Sequence, residues 1–128
     1  MQYIGQLDKN KLGKYKDKIK TFDVIITSER IEHINKRHPG DYEKYIIYLS
    51  NCIKNPDYIL EDKDNKDTII ILKRIENKRI HIVIKLQTNN RDINKYNSII
   101  TYWQIRERCY KSTIKNNKII YENLDKYE

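Results

Sequence analysis

Chemistry in this chain concentrates in one short stretch, Glu32-His33-Ile34-Asn35-Lys36-Arg37-His38-Pro39, which holds two of the three histidines and two cations. His33 and Arg37 are four residues apart, so on a helix they share a face. Ile34 and His38 are also four apart, which leans His38 toward the apolar side with Ile31. An imidazole pair beside cations suits binding of a phosphodiester and movement of a proton near neutral pH. The same residues also suit a plainer role, with His38 favoured by the dipole at a helix C-terminus and His33 solvated beside it. A metal is not expected, because an HxxxxH spacing without a nearby cysteine or paired carboxylates is no recognised ligand set.

A second group of polar residues falls in strand-like sequence. In Ile80-His81-Ile82-Val83-Ile84-Lys85-Leu86 the alternation leaves His81, Val83 and Lys85 on the face opposite the isoleucines. In Ile99-Ile100-Thr101-Tyr102-Trp103-Gln104-Ile105 it puts Thr101 with Ile99, Trp103 and Ile105, and Tyr102 with Gln104. Of the eleven tyrosines, Tyr42, Tyr45 and Tyr48 recur at helical spacing and read as core. Tyr102 and Trp103 are the candidates for stacking on bases, and Arg106 and Arg108 for holding phosphates. No phosphate-cradling glycine loop, nucleophile elbow or HExxH occurs, and the chain has three glycines. Nucleotide-cofactor enzymes, P-loop NTPases and zincin proteases are thereby set aside. Cys52 falls inside an amphipathic helical pattern and reads as a buried thiol, not a nucleophile.

These residues need positioning by a folded scaffold, and 128 residues with 38% hydrophobic and 34% charged content suit one domain, residues 1–128. Residues 1–20 read as a leader that adds an edge element, with a short strand at Tyr3 to Leu7; residues 21–121 form the core and 122–128 a loose tail. Phe22 to Ile26 is an apolar run. Thr27 or Ser28 caps a helix starting at Glu29, which Pro39 ends at His38. Tyr42, Tyr45, Ile46, Leu49 and Ile53 mark a second helix over Asp41 to Lys54, capped by Asp41. The period then changes to two, predicting strands at Tyr58–Leu60, Thr68–Arg74, Arg79–Gln87 and Ser98–Ile105, with turns at Asp64-Asn65, Asn77 and Asn89-Asn90. Ile114 to Tyr121 adds a last strand or lies across the sheet. Helices followed by strands predict an α+β domain: N-terminal helices packed on one face of an antiparallel β-sheet, the other face free to bind.

The 26 Lys and Arg against 18 Asp and Glu give +8, which points to an anionic partner. Part of that charge is also what AT-rich coding produces, since Ile, Lys, Asn and Tyr abound and Ala is absent. The longest apolar run is far below the roughly 20 residues of a membrane span, and the opening MQYIGQLDKN lacks a hydrophobic signal segment, so no membrane role is expected. Two cysteines without CxxC spacing give neither a disulfide framework nor a zinc site and fit a reducing cytoplasm.

Ile26-Thr27-Ser28-Glu29-Arg30-Ile31-Glu32-His33-Ile34 running into Arg37-His38-Pro39, then Asn55-Pro56-Asp57, Val83-Ile84-Lys85-Leu86 and Ile99-Ile100-Thr101-Tyr102, resembles the phage-type barnase, EndoU, colicin and RelE-like nucleases over roughly residues 20 to 121. The resemblance implies a ribonuclease fold of helices on an antiparallel sheet, no cofactor, metal-independent cleavage, and a setting in toxins or mobile-element proteins. It further implies catalytic roles at His33 or His38, Lys85 and Thr101, with Arg37 close by. In such chemistry a base takes the proton from a ribose 2′-OH, cations stabilise the phosphorane, and an acid protonates the 5′-oxygen. The histidines would be base or acid, Lys85 and Arg37 the phosphate charge, Thr101 a hydrogen bond to phosphate or 2′-OH, and Trp103 and Tyr102 the base contacts. RNA is the expected partner, with an acidic antitoxin or immunity protein to neutralise a toxic enzyme. Two alternatives use the same residues: a non-catalytic RNA-binding domain, and a protein-interaction module whose Ile-rich edge strand extends a partner's sheet.

Overall fold

The structure is a computed structural model and describes residues 1–88 and 96–127. The Asn89-Asn90 turn lies outside the described residues. Among the described residues there are seven strands in one sheet, ordered β1-β2-β6-β5-β4-β3-β7, and three α-helices. The strands are β1 (Gln2–Gln6), β2 (Asp23–Ile26), β3 (Tyr58–Glu61), β4 (Thr68–Ile75), β5 (Lys78–Lys85), β6 (Asn97–Ile105) and β7 (Lys118–Glu122); the helices are α1 (Ser28–Arg37), α2 (Asp41–Lys54) and α3 (Glu107–Asn116). The domain is α+β. None of the described helices is long and apolar enough to cross a membrane.

Local signals account for the helix ends near the chemistry. The Thr27 hydroxyl accepts a hydrogen bond from the Arg30 amide at 3.2 Å, satisfying one orphan donor of α1. His38 caps the other end, its amide donating to the Ile34 carbonyl at 2.8 Å. Pro39 blocks continuation, and Gly40 turns the chain with φ of 85°, a left-handed value that glycine adopts without strain. Gly40, not Asp41, is therefore the residue that precedes α2.

One face of the sheet carries Ile69, Ile71, Ile80, Ile82, Ile84, Ile99 and Tyr102, packed against Ile34 of α1 and Tyr45, Leu49 and Ile53 of α2. Two side-chain bonds lock α2 to β6: Tyr45 donates to Gln104 Oε1 at 2.5 Å, and Tyr102 to the Tyr42 carbonyl at 2.9 Å. The opposite face is not wholly free, which corrects the sequence expectation. There α3 lays Tyr110 and Ile114 over Tyr58, Leu60, Ile70, Leu72 and Ile105. Helices consequently flank both faces, and the last of them follows the meander. The sheet is mixed, not antiparallel throughout, because β2 runs parallel to β6 with Val24 opposite Asn97 and Ile25 opposite Ser98. The Ile114 to Tyr121 stretch divides between α3 and β7, which pairs with β3 at the sheet edge. β1 pairs with β2 at the other edge. In the tail, Leu124–Tyr127 forms a short 3₁₀ turn.

Asn97 fixes the parallel junction. It is fully buried, donates through Nδ2 to the Thr21 carbonyl at 2.9 Å and the Asp23 carbonyl at 3.1 Å, and accepts through Oδ1 from the Gln87 amide at 2.8 Å. One amide side chain thus satisfies backbone groups entering β2 and leaving β5. Asn97→Ala removes three partners at once and is expected to cost about 2 to 4 kcal/mol, read as a lower urea midpoint at unchanged m-value.

Candidate active site

Because β2 reaches only Asn97 and Ser98 before the chain leaves the sheet at Thr27, α1 lies alongside the next stretch of β6. The space between them is a depression of about 190 Å³ lined by Arg30, His33, Arg37 and His38 from the helix and by Ile100, Thr101 and Trp103 from the strand. Arg30, His33 and Arg37 are spaced by three and four and form one stripe along α1. Among the described residues none of the three is in an ion pair. Two unneutralised guanidiniums flanking an imidazole make this a place for an anion. The volume is below the roughly 300 to 1,000 Å³ of small-molecule pockets, which suits one unit of a polymer lying across the opening.

A β-bulge shapes the strand side. Val83 pairs with Thr101 but Ile84 pairs with Ile99, so Ile100 is the extra residue. The bulge turns Ile99 onto the core face with Tyr102, against the strict alternation expected from sequence, and leaves Ile100 and Thr101 on the open side. Ile100 also lines an adjoining depression with Asn65, Lys66, Thr68, Val83 and Lys85. Lys85 is exposed there and donates through Nζ to the Lys66 carbonyl at 2.9 Å. Lys85 is two residues beyond the Val83–Thr101 pair, about 7 Å along the strand. The two depressions thus share a wall on one side of the sheet.

Of the residues singled out from sequence, His33, His38, Arg37, Thr101 and Trp103 come together in the first depression, and Lys85 in the second. Tyr102 does not. It is fully buried on the core face, its hydroxyl bonded to the Tyr42 carbonyl, and burial raises its pKa; it cannot stack on a base. Arg106 is also elsewhere, immediately before α3 in a separate depression with Asp41, Lys44 and Arg79. Cys52 is buried, and desolvation holds its thiol up at about 12.

Two residues were missed. Arg30 belongs to the cationic stripe, and its three-residue spacing from His33 was the signal. His81 lies opposite Trp103 in the β5–β6 register, with ring centroids 4.3 Å apart. Sequence alternation put His81 on the open face, but the register that sets it against Trp103 depends on the bulge. His81 is 8% exposed, and its Nδ1 has no hydrogen-bond partner among the described residues. Desolvation lowers its pKa to about 4, so it is neutral at pH 7. Among the described residues, no group of three or more His, Cys, Asp or Glu is placed to hold a metal ion.

A family model described as phage-Barnase-EndoU-ColicinE5/D-RelE like nuclease 3 matches residues 4–116. The chain belongs to that nuclease family. Searches among curated proteins and among solved structures gave no match. The match takes in α1, β5 and β6, and with them every residue lining the two depressions.

For this nuclease the cationic stripe has a direct electrostatic consequence. Each phosphate contact releases counterions, with a slope in log K against log salt of about 0.7 per cation for single strands. Removing both guanidiniums, Arg30→Ala with Arg37→Ala, is expected to flatten that slope by about 1.4 for a single-stranded oligonucleotide, measured by fluorescence anisotropy. An unchanged slope would put the backbone elsewhere.

Proposed function

We propose that the protein is a metal-independent endoribonuclease that cleaves RNA by attack of a ribose 2′-OH on the adjacent phosphorus. The observation that carries this reading is the single depression lined jointly by Arg30, His33, Arg37, His38 and Thr101. Each requirement of the reaction has a side chain there or next to it. An imidazole takes the 2′-OH proton, an imidazole or water returns one to the leaving 5′-oxygen, and guanidiniums neutralise the phosphorane charge. In this reading Thr101 hydrogen-bonds a phosphate oxygen or the 2′-OH, supported by its place in the lining. Lys85, across Ile100, adds positive charge along the same strand of RNA. The reaction needs no metal because proton transfer and charge stabilisation both come from the chain itself.

Unrestrained RNA cleavage would harm the cell that makes it, and we read the protein as a toxin or mobile-element nuclease acting in the cytoplasm. With +8 on the chain, a neutralising antitoxin or immunity protein would be acidic.

Labelled RNA incubated in excess EDTA with the wild type and with His33→Ala, His38→Ala, Lys85→Ala and Thr101→Ala tests the assignment. Loss of the proton-transferring histidine is expected to slow turnover by about 10²- to 10⁴-fold. Undiminished cutting in all four variants would eliminate the site, and RNA bound without any product would favour a non-catalytic RNA-binding domain.

A further inference from the structure

The two histidines of the depression occupy different surroundings. His33 is exposed on the helix stripe, three residues from Arg30 and four from Arg37, where a phosphate would sit between guanidiniums. His38 is half-buried at the helix end, and its ring lies 9° from parallel to the Trp103 indole, with centroids 6.2 Å apart. Trp103 is in turn backed by buried His81, which braces the indole from across the strand pair. A flat indole braced on one side by His81 and stacked nearly parallel with an imidazole, both lining a solvent-open depression, presents aromatic surface of the kind on which bases stack. His38 is the C-cap of α1, five positions on from His33 and about 7.5 Å further along the helix axis, comparable to the distance between a nucleotide's base and its phosphate.

Resting on the ribonuclease reading, we propose that His38 and Trp103 form a nucleobase-binding slot for single-stranded RNA, and that proton transfer at the phosphate falls to His33. The base stacks on the His38–Trp103 pair while its phosphate reaches the Arg30–His33–Arg37 stripe. A paired base in a duplex cannot offer its face in this way, so the substrate is an unpaired segment. His38 acts here through its aromatic plane, and His33 through its nitrogen.

Trp103 is the only tryptophan in the chain, so its fluorescence reports the slot directly. The probe is a single-stranded 2′-O-methyl trinucleotide, which lacks the nucleophilic hydroxyl and cannot be cut, alongside an abasic version of equal charge. The expected result is quenching by the trinucleotide and none by the abasic strand. His38→Ala is expected to weaken binding about fivefold or more, and His38→Phe, which restores a ring without a titratable nitrogen, to recover most of it. In cleavage of unmodified RNA, His38→Ala then raises KM while His33→Ala lowers kcat, and His33→Phe recovers nothing. Equal quenching by the abasic strand would overturn the slot, as would His38→Phe binding no better than His38→Ala. A loss of kcat at unchanged KM in His38→Ala would return proton transfer to His38 and overturn the division of roles. Quenching without any cleavage by the wild type would uphold the slot and count against the proposed reaction.

Discussion

The parallel pairing of β2 with β6, pinned by the buried side chain of Asn97, is the constraint on which the rest depends. Its brevity matters as much as its presence. Two register pairs are enough to aim the chain along β6, and then Thr27 converts strand to helix, so that α1 continues where a strand would otherwise have been. A longer β2 would pair with Thr101 and Trp103 and leave no depression. A helix in that position instead presents side chains spaced by three and four to the edge of the sheet, and those side chains are Arg30, His33 and Arg37.

Electrostatics distinguishes this stripe from those cations that pair within a protein of +8. Glu107 at the start of α3 takes up two guanidiniums, accepting from Arg74 Nη2 at 2.5 Å and from Arg79 Nε. Arg74 and Arg79 hold its carboxyl down at about 2, and the three together tie α3 to the sheet. The depression beside Asp62–Asp67 likewise sets four lysines against four carboxylates. There Lys14 pairs with Glu61 at 2.6 Å. Arg30 and Arg37 have no such partner among the described residues, and their field is left for a ligand. Net charge alone would not have separated these cases; the pairing does.

Much of this arrangement was legible in the residues. The Thr27 cap, the Pro39 stop and the three-and-four spacing of Tyr42, Tyr45, Leu49 and Ile53 define the helical pair because those signals are local. The alternation in Ile80 to Leu86 put Lys85 on the open face for the same reason. What the residues concealed was non-local. Phe22 to Ile26 does not declare whether its partner runs parallel or antiparallel. The bulge at Ile100 breaks the alternation of β6 without any glycine to mark it, and turns Ile99 to the core face, beside Tyr102. α3 escaped notice because Tyr110 and Ile114 give it a single apolar stripe and Arg106 supplies no side-chain cap. His81 needed the register to reveal its place beneath Trp103.

In the proposed reaction a ribose hydroxyl, activated by an imidazole and aided by guanidiniums, does the cutting. It leaves a chemical signature on the product. Mass spectrometry of RNA fragments made by the wild-type protein in excess EDTA is expected to find 2′,3′-cyclic phosphate at the new 3′ ends and free hydroxyls at the new 5′ ends. Fragments carrying 5′-phosphate and 3′-hydroxyl ends would contradict the account, because water and not the 2′-OH would then have been the nucleophile.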